Sequence, residues 1–88
     1  MFYVYILELK DATHYTGSTG DLKRRYKEHE QGKVESTKHK RPHKLILYEA
    51  YLLKSDAERR ERFLKTTEGK RLLRQQIRDY LQQRNLGR

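Results

Sequence analysis

The chain has 88 residues, no cysteine, and 21 basic against 12 acidic side chains, for a net charge of +9. Its length allows one small domain, the lack of cysteine excludes disulfides and thiolate metal sites, and no apolar run approaches the ~20 residues that span a bilayer. Because no signal-peptide pattern is present either, we expect a cytoplasmic protein whose charge favours a polyanion, either nucleic acid or an anionic membrane surface.

Two short strands open the predicted fold. An apolar alternating run covers residues 2–9 and a shorter run covers residues 14–19, and the polar stretch between them has the length of a hairpin loop. Strands joined this tightly are antiparallel neighbours. The pairing is therefore expected to bring the phenols of Tyr5 and Tyr15 close together.

The next segment, residues 21–31, is predicted to form a helix. Arg25 and His29 are four residues apart and so share one face of it. Leu22 and Tyr26 lie on the same face, which indicates that this face packs on the sheet. Two phenols, a guanidinium and an imidazole converging on one patch suggest a site for a phosphate.

The second half of the chain adds a strand and two helices to the prediction. Residues 44–53 form the third strand, which follows Pro42. A Ser-x-x-Glu pattern that starts at Ser55 predicts a capping box at the start of the second helix. The apolar stripe of the third helix consists of Leu73, Ile77, Tyr80 and Leu81.

These elements predict an α+β fold in the order β-β-α-β-α-α. A three-stranded antiparallel sheet is expected to be flanked by about three helices. With no repeat and no linker, one domain is expected over residues 1–83, followed by a frayed tail over residues 84–88.

The order and spacing of the notable residues resemble the GIY-YIG nuclease superfamily, in its small single-domain bacterial branch. A Tyr-Val-Tyr triplet ends at Tyr5 where the family name implies Gly-Ile-Tyr, and Tyr-Thr-Gly replaces Tyr-Ile-Gly at residues 15–17. The positions that carry the resemblance are Tyr5, Tyr15, Gly17, Arg25, His29 and Glu61.

The resemblance implies hydrolysis of DNA phosphodiester bonds with Mg²⁺ or Mn²⁺. Glu61 would hold the cation, because one carboxylate with waters and a substrate phosphate is a ligand set that Mg²⁺ accepts. Arg25 would pair with phosphate oxygens. Tyr5 would orient or deprotonate the water, with Tyr15 and His29 in the supporting network. Which group takes the proton stays open at this point.

The chain departs from the family pattern near its end. Many members carry an asparagine there that contacts the phosphate, whereas the single asparagine of this chain is Asn85, in the predicted tail. We assign no role to it. Together with the variant first triplet, this departure leaves open a non-catalytic nucleic-acid-binding module of the same fold.

Basic side chains cluster on the first helix and in the loop before the third strand. Such side chains suit backbone phosphates, which position a protein without reading sequence. The expected nucleic-acid contacts are Lys23, Arg24, Lys27, Lys38, Lys40, Arg41 and Lys44.

No base-reading motif is present in the sequence. We therefore expect structure-selective or weakly sequence-selective cleavage of duplex, nicked or branched DNA, in repair or recombination, with a homodimer or a partner protein supplying specificity. A third hypothesis is a small basic accessory protein that binds an anionic surface.

Overall fold

A computed structural model describes residues 1–86, and it contains a three-stranded antiparallel sheet with helices packed on both faces. In chain order the elements are β1 (Phe2–Glu8), β2 (His14–Thr19), α1 (Leu22–Glu30), a short 3₁₀ turn (Lys38–Lys40), β3 (Lys44–Tyr51), α2 (Lys54–Leu64), α3 (Thr67–Gln76) and α4 (Arg78–Leu86). The α+β class and the predicted antiparallel sheet are confirmed.

β1 is the central strand, and β2 and β3 are its antiparallel neighbours at the two edges. Alternation along β1 sends successive side chains to opposite faces. Val4 and Ile6 pack with residues of α2 and α3 on one face. Tyr5 packs on the other face with Leu22 and Tyr26 of α1. The sheet therefore holds α1 apart from α2 and α3, with β2 as an edge between the two layers.

The helices after β3 differ from the prediction in two places. α2 begins at Lys54 after Leu53, whose side chain makes no capping hydrogen bond, so the predicted capping box at Ser55 is wrong. The predicted third helix is two helices, because the backbone leaves the helical conformation at Ile77. This break lets Ile77 pack on the core cluster beneath the sheet while the chain turns into α4.

The C-terminal helix is attached to the central strand. Arg84 forms an ion pair with Glu8, and the Tyr80 hydroxyl donates to the same carboxylate at 2.9 Å. Residues 84–86 belong to this helix, whereas residues 87 and 88 of the predicted tail lie outside the described residues. Within residues 1–86, none of the helices combines the length and the apolar character that crossing a bilayer requires.

Candidate active site

The hydroxyl of Tyr5 lies against Gly17 on the edge strand. The two residues are partners in the pairing of β1 with β2, and a Cβ atom on Gly17 would lie 2.5 Å from Tyr5 Oη. Glycine is needed here because the phenol occupies the space of a side chain. Tyr15 lies diagonally across the same face, with ring centroids 6.3 Å apart, as the hairpin predicted.

α1 brings an imidazole onto these two phenols. The helix starts after Asp21, whose carboxylate accepts the backbone N–H of Arg24 at 3.1 Å and so caps the first turn. On the sheet-facing side, the His29 ring centroid lies 5.6 Å from that of Tyr5 and 5.1 Å from that of Tyr15. The predicted helical face therefore packs where the sequence placed it.

His29 is fully buried and is bonded through both ring nitrogens. Nε2 lies 2.8 Å from Tyr5 Oη, and Nδ1 lies 2.8 Å from Thr37 Oγ1. The Thr37 hydroxyl is 3.5 Å from the carbonyl oxygen of Val34, and because a carbonyl can only accept, the hydroxyl donates to it. Nδ1–H of His29 then donates to Thr37, and the unprotonated Nε2 accepts from Tyr5.

Burial keeps this pair uncharged. It lowers the pKa of His29 to about 4, and the nearby charge of Arg25 acts in the same direction. Burial also raises the pKa of Tyr5 to about 12, although Arg25 opposes the rise. At neutral pH the phenol therefore keeps its proton and the imidazole stays neutral.

Arg25 is the charged side chain that borders Tyr5 and His29. Its side chain is 37% exposed, and Nη1 donates to Glu28 at 3.1 Å. Burial tends to lower the pKa of Arg25, but its contacts with Glu28 and Tyr5 outweigh that effect and raise it. Among residues 1–86, the Tyr15 hydroxyl takes part in no hydrogen bond. A permanent cation and a free hydroxyl thus stand beside the buried pair.

Glu61 approaches the same edge from the opposite face of the sheet. Its Oε1 accepts from the Ser18 hydroxyl at 2.6 Å, and its Oε2 accepts from Lys65 Nζ at 2.8 Å. Ser18 follows Gly17 in β2, and the charge of Glu61 acts on Tyr5, whose pKa it helps to raise. The carboxylate therefore meets β2 next to Gly17, on the face opposite the one that carries Tyr5.

The chemistry of Glu61 fits a cation ligand. Partial burial would raise its pKa, but the bonds from Lys65 and Ser18 outweigh burial and lower it, so the group is ionised at neutral pH. Residues 1–86 contain no group of three or more His, Asp or Glu side chains that could hold a metal by themselves. A lone carboxylate suits Mg²⁺ or Mn²⁺ that keeps water and phosphate ligands. Lys65, whose side chain is 54% exposed, can move aside.

The expected nucleic-acid contacts fall into two groups. Lys23, Arg24 and Lys27 are exposed on α1. The loop cations have partners within the protein, which are Glu35 for Lys38 at 2.9 Å, Asp11 for Lys40 at 3.2 Å, the carbonyls of Lys38 and Glu30 for Arg41, and the Tyr80 ring for Lys44 at 5.4 Å. The loop cations therefore also hold the loop in place, whereas those of α1 are free to meet a phosphate.

Three residues of the site were missed by the sequence analysis. Ser18 and Lys65 hold Glu61, and Thr37 holds His29. Lys65 had a signal, because it stands four residues after Glu61 on one helix. Thr37 had no signal from periodic spacing, since it lies in an irregular loop, although the loop itself resembles that of the small bacterial branch. There its carbonyl also lies 2.9 Å from Nε2 of the buried His43.

Every residue of the candidate site lies in the part of the chain that matches a known family. Residues 1–85 match the GIY-YIG catalytic domain. A UPF0213 protein of Streptococcus agalactiae is 44% identical over 64 residues, which are 72% of this chain and 73% of that protein. A UPF0213 protein of Clostridium perfringens is 41% identical over 66 residues, 74% of this chain and 71% of that protein. The solution NMR structure of a UPF0213 protein from Bacillus halodurans has a TM-score of 0.53 at 40% identity, covering 83% of this chain and 82% of that one.

Proposed function

The chain belongs to the GIY-YIG nuclease family, and from this premise we propose that it is a divalent-metal-dependent DNA endonuclease that hydrolyses phosphodiester bonds. The observation that carries the proposal is the neutral Tyr5–His29 pair, bonded at 2.8 Å, beside a charged guanidinium and an ionised carboxylate at one strand edge. Binding of DNA alone would need positive charge, but it would need neither the buried pair nor Glu61.

Arg25 is proposed to pair with the scissile phosphate. Glu28 engages one of its N–H groups, and a guanidinium has further donors in a planar fork that fits phosphate oxygens. Negative charge grows on those oxygens as water attacks, so the fork stabilises the transition state more than the ground state. Loss of one such donor typically lowers a rate by about 10²–10³.

Tyr5 and His29 are proposed to take the proton of the attacking water. As the water oxygen bonds to phosphorus and the bond from phosphorus to the leaving oxygen breaks, the water proton passes to Tyr5 Oη and the phenol proton passes to Nε2 of His29, while the leaving oxygen takes a proton from solvent. His29 is fully buried and acts only through Tyr5. Tyr15, which is partly exposed and whose hydroxyl has no partner among the described residues, is proposed to orient the water.

Glu61 is proposed to hold Mg²⁺ or Mn²⁺, which when bound supplies positive charge to the phosphate and the leaving oxygen. Ser18 fixes one carboxylate oxygen through its hydroxyl. Lys65 neutralises the other oxygen, and its exposed ammonium is free to leave when the cation arrives. The protein thus needs no change in its sheet to accept the metal.

The proposed substrates are duplex, nicked or branched DNA. The exposed cations of α1 and the basic loop contact backbone phosphates, which carry no sequence information. We therefore propose selection by DNA structure, as repair or recombination requires, with a second copy of the chain or a partner protein adding specificity. The proposed compartment is the cytoplasm.

The test is Mg²⁺-dependent cleavage of duplex, nicked and branched DNA by the wild type and by Glu61→Gln, which keeps the shape of the side chain and removes its charge. Cleavage should be lost while DNA affinity stays equal or rises, because a negative charge near the phosphate disappears. Tyr5→Phe, which deletes only the hydroxyl, should cleave about 10²–10⁴-fold more slowly.

Glu68→Gln is the matched control, because it removes one carboxylate from an exposed ion pair with Arg71 on α3. It should cleave like the wild type. Equal cleavage by Glu61→Gln and the wild type would refute the metal assignment. A wild type that binds all three DNAs and cuts none is instead a nucleic-acid-binding module.

A further inference from the structure

A concavity lies on the face of the sheet that carries α3 and α4. Its volume is about 390 Å³, and we call it the α3 pocket. Its floor includes the apolar side chains of Leu64 and Leu73. The polar residues that line it are Thr13, His14, Thr16, Lys70, Arg74 and Arg84.

The α3 pocket carries unneutralised positive charge. Lys70 and Arg74 stand one turn apart on α3, both are exposed, and neither belongs to any ion pair among residues 1–86. Arg84 is engaged by Glu8, so its charge is already balanced. Two free cations over an apolar floor form a cleft that attracts anions.

Two nitrogens of the lining residues are buried and have no hydrogen-bond partner among the described residues, namely His14 Nε2 and Arg84 Nε. His14 Nε2 lies 3.6 Å from Glu8 Oε2, which is beyond hydrogen-bond distance. Buried polar atoms are nearly always satisfied by protein, water or an ion. Both nitrogens are closed to solvent, so the groups that can meet an occupant of the α3 pocket are Lys70, Arg74 and Thr16.

The α3 pocket lies along β2 from the candidate active site. His14, Thr16 and Ser18 share one face of the strand, since alternate residues point the same way. Ser18 binds Glu61 at 2.6 Å. Two residues of extended strand span about 7 Å and four span about 13 Å. A DNA strand whose scissile phosphate lies at Glu61 is thus close enough for a neighbouring phosphate to enter the pocket.

We propose that the α3 pocket binds a second backbone phosphate of the cleaved DNA strand, one or two nucleotides from the scissile bond. The inference rests on the proposed function and adds to it how the strand is aligned. Lys70 and Arg74 supply charge-assisted hydrogen bonds, and Thr16 supplies a hydroxyl. Two phosphates fixed along one strand edge set the direction of the DNA without reading its bases.

The test uses a branched DNA whose junction fixes the register, prepared with one uncharged methylphosphonate at each backbone position in turn. Affinities are measured without Mg²⁺ for the wild type and for Arg74→Gln. At the pocket position the methylphosphonate should weaken binding by the wild type about tenfold, as expected for a lost charge-assisted hydrogen bond. The same substitution should have little further effect on Arg74→Gln, because the interaction is already missing.

Arg71→Gln is the matched control. Arg71 is three residues from Arg74 on the same helix, lies outside the pocket lining, and is paired with Glu68. It should show the full methylphosphonate effect of the wild type at every position. Its slope of log affinity against log salt should also be unchanged, whereas Arg74→Gln should lose about 0.9 of that slope.

Methylphosphonate effects that add to Arg74→Gln at every position would overturn the inference. A second result would also overturn it. The His14 imidazole NMR signal would respond to inorganic phosphate in the wild type but not in Arg74→Gln, while no methylphosphonate position showed coupling to Arg74. The pocket would then take a free anion. Failure of the proposed function looks different. It appears as DNA binding without cleavage in Mg²⁺, whereas the coupling is measured without Mg²⁺ and without cleavage.

Discussion

The inner and outer parts of the candidate site are held together by different forces. The inner part, Tyr5, His29 and Thr37, is buried and neutral, and its hydrogen bonds form one directed chain that ends at a backbone carbonyl. The outer part, which contains Arg25, Glu61 and Lys65, is charged and partly exposed. Both parts meet at the edge strand β2.

This difference would separate two tasks of the proposed catalytic site. The inner part is set before any substrate arrives, because moving it would leave buried polar atoms without partners. The outer part can exchange its protein partners for phosphate or a cation, since exposed ion pairs contribute little to stability. A preorganised inner part beside an outer part whose partners can be exchanged is the arrangement that electrostatic catalysis requires.

The largest expected effect comes from forcing the inner part open with Gly17→Ala. The new methyl group would lie 2.5 Å from Tyr5 Oη and would push the phenol off His29. Overpacking of this kind costs about 1–3 kcal/mol, and displacement of the hydroxyl should lower cleavage as strongly as Tyr5→Phe does. Urea denaturation and the cleavage assay measure the two effects.

Gly20→Ala is the control for this change, because a Cβ there meets only the Phe2 ring at an ordinary 3.7 Å. It should leave stability and cleavage close to the wild type. If Gly17→Ala behaved like Gly20→Ala, the phenol would not be confined against β2.

An intermediate effect is expected from pH, and it should report on the inner part alone. His29 has a folded pKa of about 4 against an ordinary 6.5. The unfolded chain therefore takes up a proton below pH 6.5 that the folded chain excludes. Stability from this group should be complete above pH 6.5 and should fall as the pH drops towards 4, by at most roughly 3 kcal/mol.

The outer carboxylate, Glu61, acts in a different pH range, because its pKa lies below its ordinary 4.5. The stability that Glu61 contributes is lost only at lower pH. Chemical denaturation should show that the free energy of unfolding falls as the pH drops from 6.5 to 4.5. This dependence on pH should be weaker in His29→Gln and unchanged in His39→Gln, since His39 is exposed. An equal slope in both variants would assign the proton uptake to another group.

The smallest effect is expected in the outer part, from Lys65→Ala. Its bond to Glu61 is an exposed i, i+4 ion pair, so the free energy of unfolding should change by less than about 1 kcal/mol. Removal of the ammonium frees Oε2 of Glu61, and the Mg²⁺ concentration needed for half-maximal cleavage should fall. A loss of stability as large as that of Gly17→Ala would mean that the outer part is as rigid as the inner part.

The local pattern of the sequence was sufficient for the elements that face the site. Strict alternation and a short polar loop predicted both strands of the hairpin, and helical spacing put Arg25 and His29 on the sheet-facing side of α1. The start of α2 was predicted wrongly. A Ser-x-x-Glu pattern is only one of the local ways to satisfy the free backbone donors at a helix start. The helix begins one residue before Ser55.

The sequence by itself determined the fold class, the charge and the order of the chemistry-bearing residues, because periodicity and composition are local properties. Only the tertiary structure decided that His29 is sealed from solvent, that Thr37 orients its ring, and that Glu61 reaches β2 from the opposite face through Ser18. These contacts join residues far apart in the chain, and the neutral state of His29 follows from its burial. Burial is a property of the packed molecule and is not written in any single segment.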